Sequence, residues 1–294
     1  MEHTQPFQMV LLTGEGHRIR IRRSTASFRH RPYFAHKHSD FEISYVLSGS
    51  GNYRIEGEDC RFAGGDIFVF GTNEVHCITD TYGDEPLILC NIQFEPRLLW
   101  SPRGYGQDPA CIEIFTRRAP GAGSRLAEDS AVRDRIIRLI LDIFREAEEE
   151  RPARELMVQA LFMQLLAEMV RGHRAEGEKA SLFPRQSRLV SMDRAVNYIE
   201  EHLSEPITLE EIAREAGVSR TYFSTLFRTL NGLSPWDYIL IRRVDTAKHL
   251  LATTDETVLD VCGNAGFENI SHFNRVFLRY AGCTPHEYRA AHKT

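Results

Sequence analysis

Between Ile207 and Arg289 one pattern is written twice. Ile212, Ala216 and Gly217 return as Val261, Ala265 and Gly266 at an offset of 49, while Phe223, Phe227, Gly232, Pro235 and Tyr238 return as Phe273, Phe277, Gly282, Pro285 and Tyr288 at an offset of 50. The one-residue slip falls inside a turn. A Gly-containing turn between two apolar-periodic stretches is the signature of a helix-turn-helix, so the duplication restricts this part of the chain to a helical unit with two such motifs. Two reading heads for DNA are the expectation.

In the first copy Thr208 can cap a helix over 209–216, with Glu211 completing a capping box, and Ser219 can cap the next helix. Phe223, Leu226 and Phe227 then face the core, and Arg220, Thr221, Ser224, Thr225 and Arg228 face outward. The second copy places Val258, Val261 and Cys262 on its first helix. Its second helix buries Phe273, Val276 and Phe277 and exposes Ser271, His272, Asn274, Arg275 and Arg279. Arg275 suits a bidentate contact to guanine and Asn274 one to adenine; the hydroxyls can touch base edges, and flanking arginines suit phosphates. Residues 235–252 read as one long helix of roughly 27 Å, comparable with the ~34 Å turn of DNA between two major-groove openings on one face.

Charge bears on that placement more than the chain total does. The 294 residues carry a formal net charge of -5, which argues against indiscriminate attraction to phosphate. Residues 219–251 nevertheless hold five basic against two acidic side chains, a net +3, and residues 269–294 hold four against one, again +3. Positive charge is expected on the presumed DNA side. The six cysteines include no C-x-x-C pair, so they read as buried thiols in a reducing compartment. The short apolar run at Met9 to Leu12 is too little for a signal or a membrane span, which predicts a cytoplasmic protein without membrane contact.

The first hundred residues read as strands. Arg20 to Arg23, Phe41 to Leu47, Asn52 to Glu56, Asp66 to Phe70 and Leu87 to Phe94 are short, rich in β-branched and aromatic residues, and separated by Gly-bearing turns. Such spacing favours a barrel or jelly roll. Trp100 to Ser124 reads as an irregular connection. Val132, Ile136, Leu139, Ile140, Ile143 and Phe144, then Leu156, Leu161, Phe162, Leu165, Leu166 and Met169, recur at three- and four-residue steps, predicting a helical hairpin whose apolar stripe is either core or a dimer seam. The expected fold class is therefore multidomain α and β: residues 1–124 a cupin-like barrel for effector sensing, 125–175 a helical hairpin for dimerisation, 176–188 a linker, and 189–294 an all-α unit with two helix-turn-helix motifs.

The repeat resembles the AraC/XylS transcriptional regulators over about one hundred residues. The resemblance rests on A-x-x-A-G-V-S-x-x-Y-F-x-x-L-F-R-x-x-x-G-x-S-P-x-x-Y in the first copy, R-x-x-x-A-K-x-L-L from Arg243 to Leu251, A-G-F-E-N-x-S-H-F-N-R-V-F, and G-C-T-P-H-E-Y-R. It implies that the two recognition helices enter adjacent major-groove segments, with Thr221, Ser224, Thr225, Ser271, Asn274 and Arg275 at base-reading positions. Leu278 stands where the family usually carries a lysine. The string H-K-H-x3-E-x6-G ending at Gly49, followed by G-D-I-F-V-F-G-T-N-E-V-H to His76, resembles both cupin motifs, with Thr72-Asn73 where Pro-Gly is common.

His36, His38 and Glu42 share parity, so an extended segment puts them on one face. With His76 they can hold a divalent metal in the barrel, serve as polar groups of an effector pocket, or be structural. Tyr45 and Gln93 join the expected effector-binding set, and Arg20, Arg22 and Tyr53 can add to it. The resemblance implies a sugar or another small metabolite as effector, and no cofactor is required. The expected function is effector-responsive, sequence-specific regulation of transcription by a non-enzymatic homodimer on double-stranded DNA, engaging RNA polymerase if it activates. Ligand binding would act through the sensor, its N-terminal arm near Thr4 to Gly16, or the dimer. A metal-dependent cupin enzyme fused to a DNA-binding unit and a regulator controlled by a partner protein are the alternatives.

Overall fold

The computed structural model describes residues 7–12, 18–26, 35–101, 109–116, 124–126, 130–175 and 186–292. The chain forms two compact units, Met1–Tyr33 with Asp40–Pro184, and Phe34–Ser39 with Arg185–Thr294.

In the first unit the described strands are β1 (Phe7–Leu12), β2 (Arg18–Ala26), β3 (Phe41–Ser48), β4 (Ser50–Ile55), β5 (Glu58–Ala63), β6 (Ile67–Phe70), β7 (His76–Tyr82) and β8 (Leu87–Phe94). They form two antiparallel sheets, ordered β1-β2-β8-β3-β6 and β5-β4-β7. Val46, Leu89, Phe68 and Phe70 of the larger sheet share a buried cluster with Tyr53, Ile55, Phe62 and Ile78 of the smaller one. The interior therefore lies between the sheets.

The other face of the larger sheet is covered by helices. Phe41 stacks on Phe115 at 4.6 Å and Phe94 meets Phe162 edge-on at 4.9 Å. Those partners lie on α2 (Pro109–Thr116) and α4 (Arg154–Ala175), introduced after the short α1 (Arg97–Trp100); α3 (Ser130–Glu148) and α4 form the antiparallel hairpin. Arg23 pairs with Glu148 at 2.7 Å across the same side. Because both faces of β3 are covered, residues Phe41 to Val46 are all buried, and the strand reads as a continuous run rather than an alternating one.

Two expectations change here. The connection expected to be irregular between Trp100 and Ser124 contains α2, whose Cys111, Ile112, Ile114 and Phe115 are buried. Residues 7–12 of the expected N-terminal arm pair along their whole length with β2, Phe7 opposite Arg23 and Leu12 opposite Arg18; the rest of that arm lies outside the described residues. No described helix is long and apolar enough to cross a membrane.

The second unit contains α5 (Gln186–Glu201), α6 (Leu209–Glu215), α7 (Arg220–Asn231), α8 (Pro235–Thr253), α9 (Val258–Asn264), α10 (Ile270–Ala281) and α11 (Pro285–His292). Helix α5 starts at Gln186, so 186–188 are helical rather than linker; residues 176–185 lie outside the described residues.

Candidate functional site

The two copies fold to matching dimensions. Helices α6 and α9 have 7 residues each, and α7 and α10 have 12 each. Four residues join α6 to α7 and five join α9 to α10, which locates the one-residue slip in the second turn. Thr208 and Glu211 form the expected reciprocal capping box on α6, and Thr257 and Asp260 form an equivalent one on α9. Ser219 caps α7 by accepting from the Tyr222 amide, whereas Asn269 caps α10 with one oxygen accepting from both Ser271 and His272.

Both turns use a glycine at positive φ, 63° at Gly217 and 83° at Gly266, but for different degrees of need. A Cβ on Gly217 would meet nothing within 4 Å. On Gly266 it would lie 2.2 Å from the Leu203 carbonyl oxygen and 2.9 Å from Arg243 Nε.

With Phe223, Leu226, Phe227 and Leu230 of α7 buried, Arg220, Thr221, Thr225 and Arg228 are exposed and Ser224 is half-buried. With Phe273, Val276, Phe277 and Tyr280 of α10 buried, Ser271, His272, Asn274, Arg275 and Arg279 are exposed. Each helix thus carries an apolar face inward and a polar strip outward, which on α10 is broken by the exposed Leu278. The strips differ chemically. Thr225 donates to the Thr221 carbonyl at 3.0 Å and Thr229 to the Thr225 carbonyl at 3.0 Å, so these hydroxyls turn lone pairs and methyl groups outward. Asn274 and Arg275 present amide and guanidinium donors.

Tyr222, also exposed, has the Arg188 guanidinium 5.5 Å from its ring centroid. Arg188 falls within the expected linker, and Tyr222 is absent from the expected outward set. Helical phase is the signal that separates Tyr222 from Phe223, because Tyr222 falls one residue off the buried stripe.

The basic residues sort into two kinds. Arg242 donates to Glu200 at 2.7 Å, Lys248 lies 3.8 Å from Asp245, and Arg289 donates to the Glu256 carbonyl at 2.6 Å. Arg243 donates to the carbonyls of Leu203 and Glu205, and its burial lowers the guanidinium pKa from the ordinary value. Of the nine basic residues counted along the repeat, Arg242, Arg243 and Arg289 therefore tie one segment to another, and Lys248 is paired within α8. Arg220 pairs with Glu210 at 2.7 Å, which lowers the pKa of that carboxyl. Both side chains are well exposed, so the pair can open to a competing phosphate at little cost.

Helix α8, with 19 residues, is about 28 Å long. It buries Tyr238, Ile239, Ile241, Val244, Ala247 and Leu251 and packs against α7, α9, α10 and α11. At its first turn Asp237 accepts from Ser234 at 2.7 Å and from Tyr280 at 2.8 Å. Burial, and then that hydrogen bond, push the Tyr280 phenol above its ordinary pKa.

In the first unit Arg20, Gln93 and Glu42 stand opposite one another on β2, β8 and β3. Arg20 Nη1 donates to Gln93 Oε1 at 2.9 Å, and Gln93 Nε2 donates to Glu42 Oε2 at 2.7 Å. His76 Nε2 lies 3.9 Å from Glu42 Oε2; both residues are 3% exposed. The His76 ring stacks on Phe70 at 4.2 Å, and its Nδ1 lies 3.0 Å from the Glu74 carbonyl, which orients Nε2 toward the carboxylate. The next row holds Ser44, donating to Asn91 at 2.9 Å, with Tyr53 hydroxyl 3.3 Å away. Beyond it comes the apolar row of Val46 and Leu89. The interior face therefore grades from charged to apolar, an arrangement able to hydrogen-bond one end of a small polar molecule and cover the other.

Tyr45 does not join this row. Its parity on β3 is that of Phe41 and Ile43, so it faces the helices, and burial raises its phenol pKa. His36 and His38, with ring centroids 6.0 Å apart, lie in the segment Phe34–Ser39 that groups with the second unit, while Glu42 and His76 belong to the first.

Residues 212–291 match the helix-turn-helix domain family and residues 18–166 the AraC-like ligand binding domain family. The chain is 26% identical over 259 residues to the HTH-type transcriptional activator RhaS of Enterobacter sp. (strain 638), covering 87% of each protein. It is 33% identical over 96 residues to the uncharacterized HTH-type transcriptional regulator YdiP of Escherichia coli (strain K12), a match spanning 33% of this chain and 32% of that one. The solved structure of ToxT from Vibrio cholerae has the same fold, with a TM-score of 0.61 at 12% identity over 94% of this chain and 99% of that one.

Proposed function

This chain belongs to the AraC family of DNA-binding transcriptional regulators, and from that premise we propose that it is an activator switched by a small polar metabolite held between its two β-sheets. The observation that carries the DNA-reading part is the pair of matched polar strips on α7 and α10, each backed by a buried aromatic face and joined through α8. Arg220, Thr221, Ser224, Thr225 and Arg228 meet one major-groove segment; Ser271, His272, Asn274, Arg275 and Arg279 meet the next. Base contacts fall to Thr221, Thr225, Asn274 and Arg275, and phosphate contacts to the remaining arginines.

The effector, a sugar or a related metabolite, contacts Glu42, Gln93 and His76, with Arg20 anchoring Gln93. A carboxylate and amide in cross-strand line suit vicinal hydroxyls, which donate to one and accept from the other. The protein acts as a homodimer through α4, whose Leu156, Met157 and Met163 are exposed on the hairpin. RNA polymerase is the partner of the DNA-bound form.

A thermal-shift screen of sugars and other small metabolites on the full-length protein tests the sensor. A hit raises the melting temperature of the native protein and fails to do so in Gln93→Leu. Footprinting with and without that hit tests the switch; a footprint indifferent to every stabilising metabolite would remove effector control from the account.

A further inference from the structure

Lys37 lies in the segment that precedes β3, yet that segment groups with the DNA-binding unit. Its ammonium sits 4.5 Å from the ring centroid of Tyr280, the penultimate residue of α10, and the lysine is only 9% exposed. Tyr280 is itself 1% exposed and is fixed at its other end by the hydrogen bond to Asp237. The Arg279 guanidinium lies 5.3 Å from the same ring. A cation over the ring face is attracted by its quadrupole, more strongly where water is excluded, and a cation at a helix C-terminus also meets the negative end of the macrodipole.

We propose that Lys37 is a positioning residue for the second reading helix: seated on Tyr280, it holds the last turn of α10, and with it Arg275 and Arg279, in the orientation that meets DNA. The inference rests on the DNA-reading role given above to α10. It adds a route for control, because chain continuity runs from Lys37 through Ser39 and Asp40 into β3, where Glu42 of the polar row follows five residues later. A ligand that displaces Glu42 pulls on the segment that carries Lys37. Release of the ammonium then loosens α10 and leaves α7, whose ring contact is with Arg188 rather than Lys37, as it was.

Amide hydrogen exchange on the full-length protein reads this directly. Lys37→Met keeps the length of the side chain and removes the cation; exchange in the last turn of α10 should rise roughly twofold to thirtyfold, the factor that a cation–π contact supports, while α7 stays unchanged. Lys37→Arg should restore protection. On a duplex selected from a random pool by the wild-type protein, Lys37→Met should weaken binding through the half-site read by α10, and scrambling that half-site should erase the difference between variant and wild type. Unchanged exchange in α10, equal loss in α7, or failure of Lys37→Arg to restore protection overturns the positioning role. If the wild-type protein selects no sequence, the DNA-reading premise falls, and exchange still judges the contact.

Discussion

The phenol of Tyr280 donates to Asp237 Oδ1 at 2.8 Å, joining the last turn of α10 to the first turn of α8. The other oxygen of that carboxylate accepts from Ser234 at 2.7 Å, so one side chain serves the helix cap and the bridge together. Tyr280→Phe keeps the buried ring and deletes the bridge, which should lower stability by about 1.5 to 3 kcal/mol, the range for a hydrogen bond to a charged group. Asp237→Ala should be less than additive with it in urea denaturation, since both remove the same bond. Additive losses would mean that the contact contributes nothing.

The two turn glycines should respond unequally. Gly217→Ala places a Cβ in open space at positive φ and should cost about 1 kcal/mol, the left-handed penalty alone. Gly266→Ala adds a clash with the Leu203 carbonyl and Arg243, and should cost a further 1 to 3 kcal/mol, roughly the overpacking range. Comparable melting temperatures for the two variants would contradict the geometry.

Arg275 and Arg279 should separate by contact class. Arg275→Ala should lose about 1 to 3 kcal/mol at one base pair and relax specificity there, whereas Arg279→Ala should weaken all duplexes alike and reduce the salt slope by about 1. Titrations on selected and random DNA at two salt concentrations distinguish them. Equal loss on both DNAs for Arg275→Ala would remove its base-reading role.

Acid should loosen the helix starts of the DNA-binding unit. Hydrogen bonds from Thr208 lower the pKa of Glu211, and those from Thr284 lower that of Glu287. A carboxyl whose folded pKa is depressed stabilises the fold above its ordinary value, near 4.3, and loses that contribution as pH falls through the lowered one. Helical circular dichroism should therefore decline on acidification in this range, and Glu211→Gln with Glu287→Gln should flatten the dependence. A profile unaltered by the double substitution would assign it to other groups.

The repeat is readable because both its copies bury Phe at the same helical phase and cap with Thr, Ser or Asn; these are local rules. Strands β3 and β8 were readable as apolar runs. Strand β5 was not, since Glu58–Ala63 forms an edge that buries only Phe62. Helix α2 escaped notice amid proline and glycine because what fixes it is non-local, the stacking of Phe115 on Phe41. Parity places Glu42 on one face of its strand, but the orientation of Tyr45 depends on which face of the larger sheet the helices cover. Net charge along the repeat overstated the free positive surface, because pairings such as Arg242 with Glu200 cross 42 positions of sequence.

The central claim is that two unequal reading heads are held about one helical turn apart. Selection from a random duplex pool by the full-length protein should return a bipartite site of two dissimilar elements, centred about 10 to 10.5 base pairs apart. Inserting about 5 base pairs between them rotates one element to the opposite face and should reduce binding to the non-specific level. Two identical elements, or affinity that survives the insertion, would contradict it.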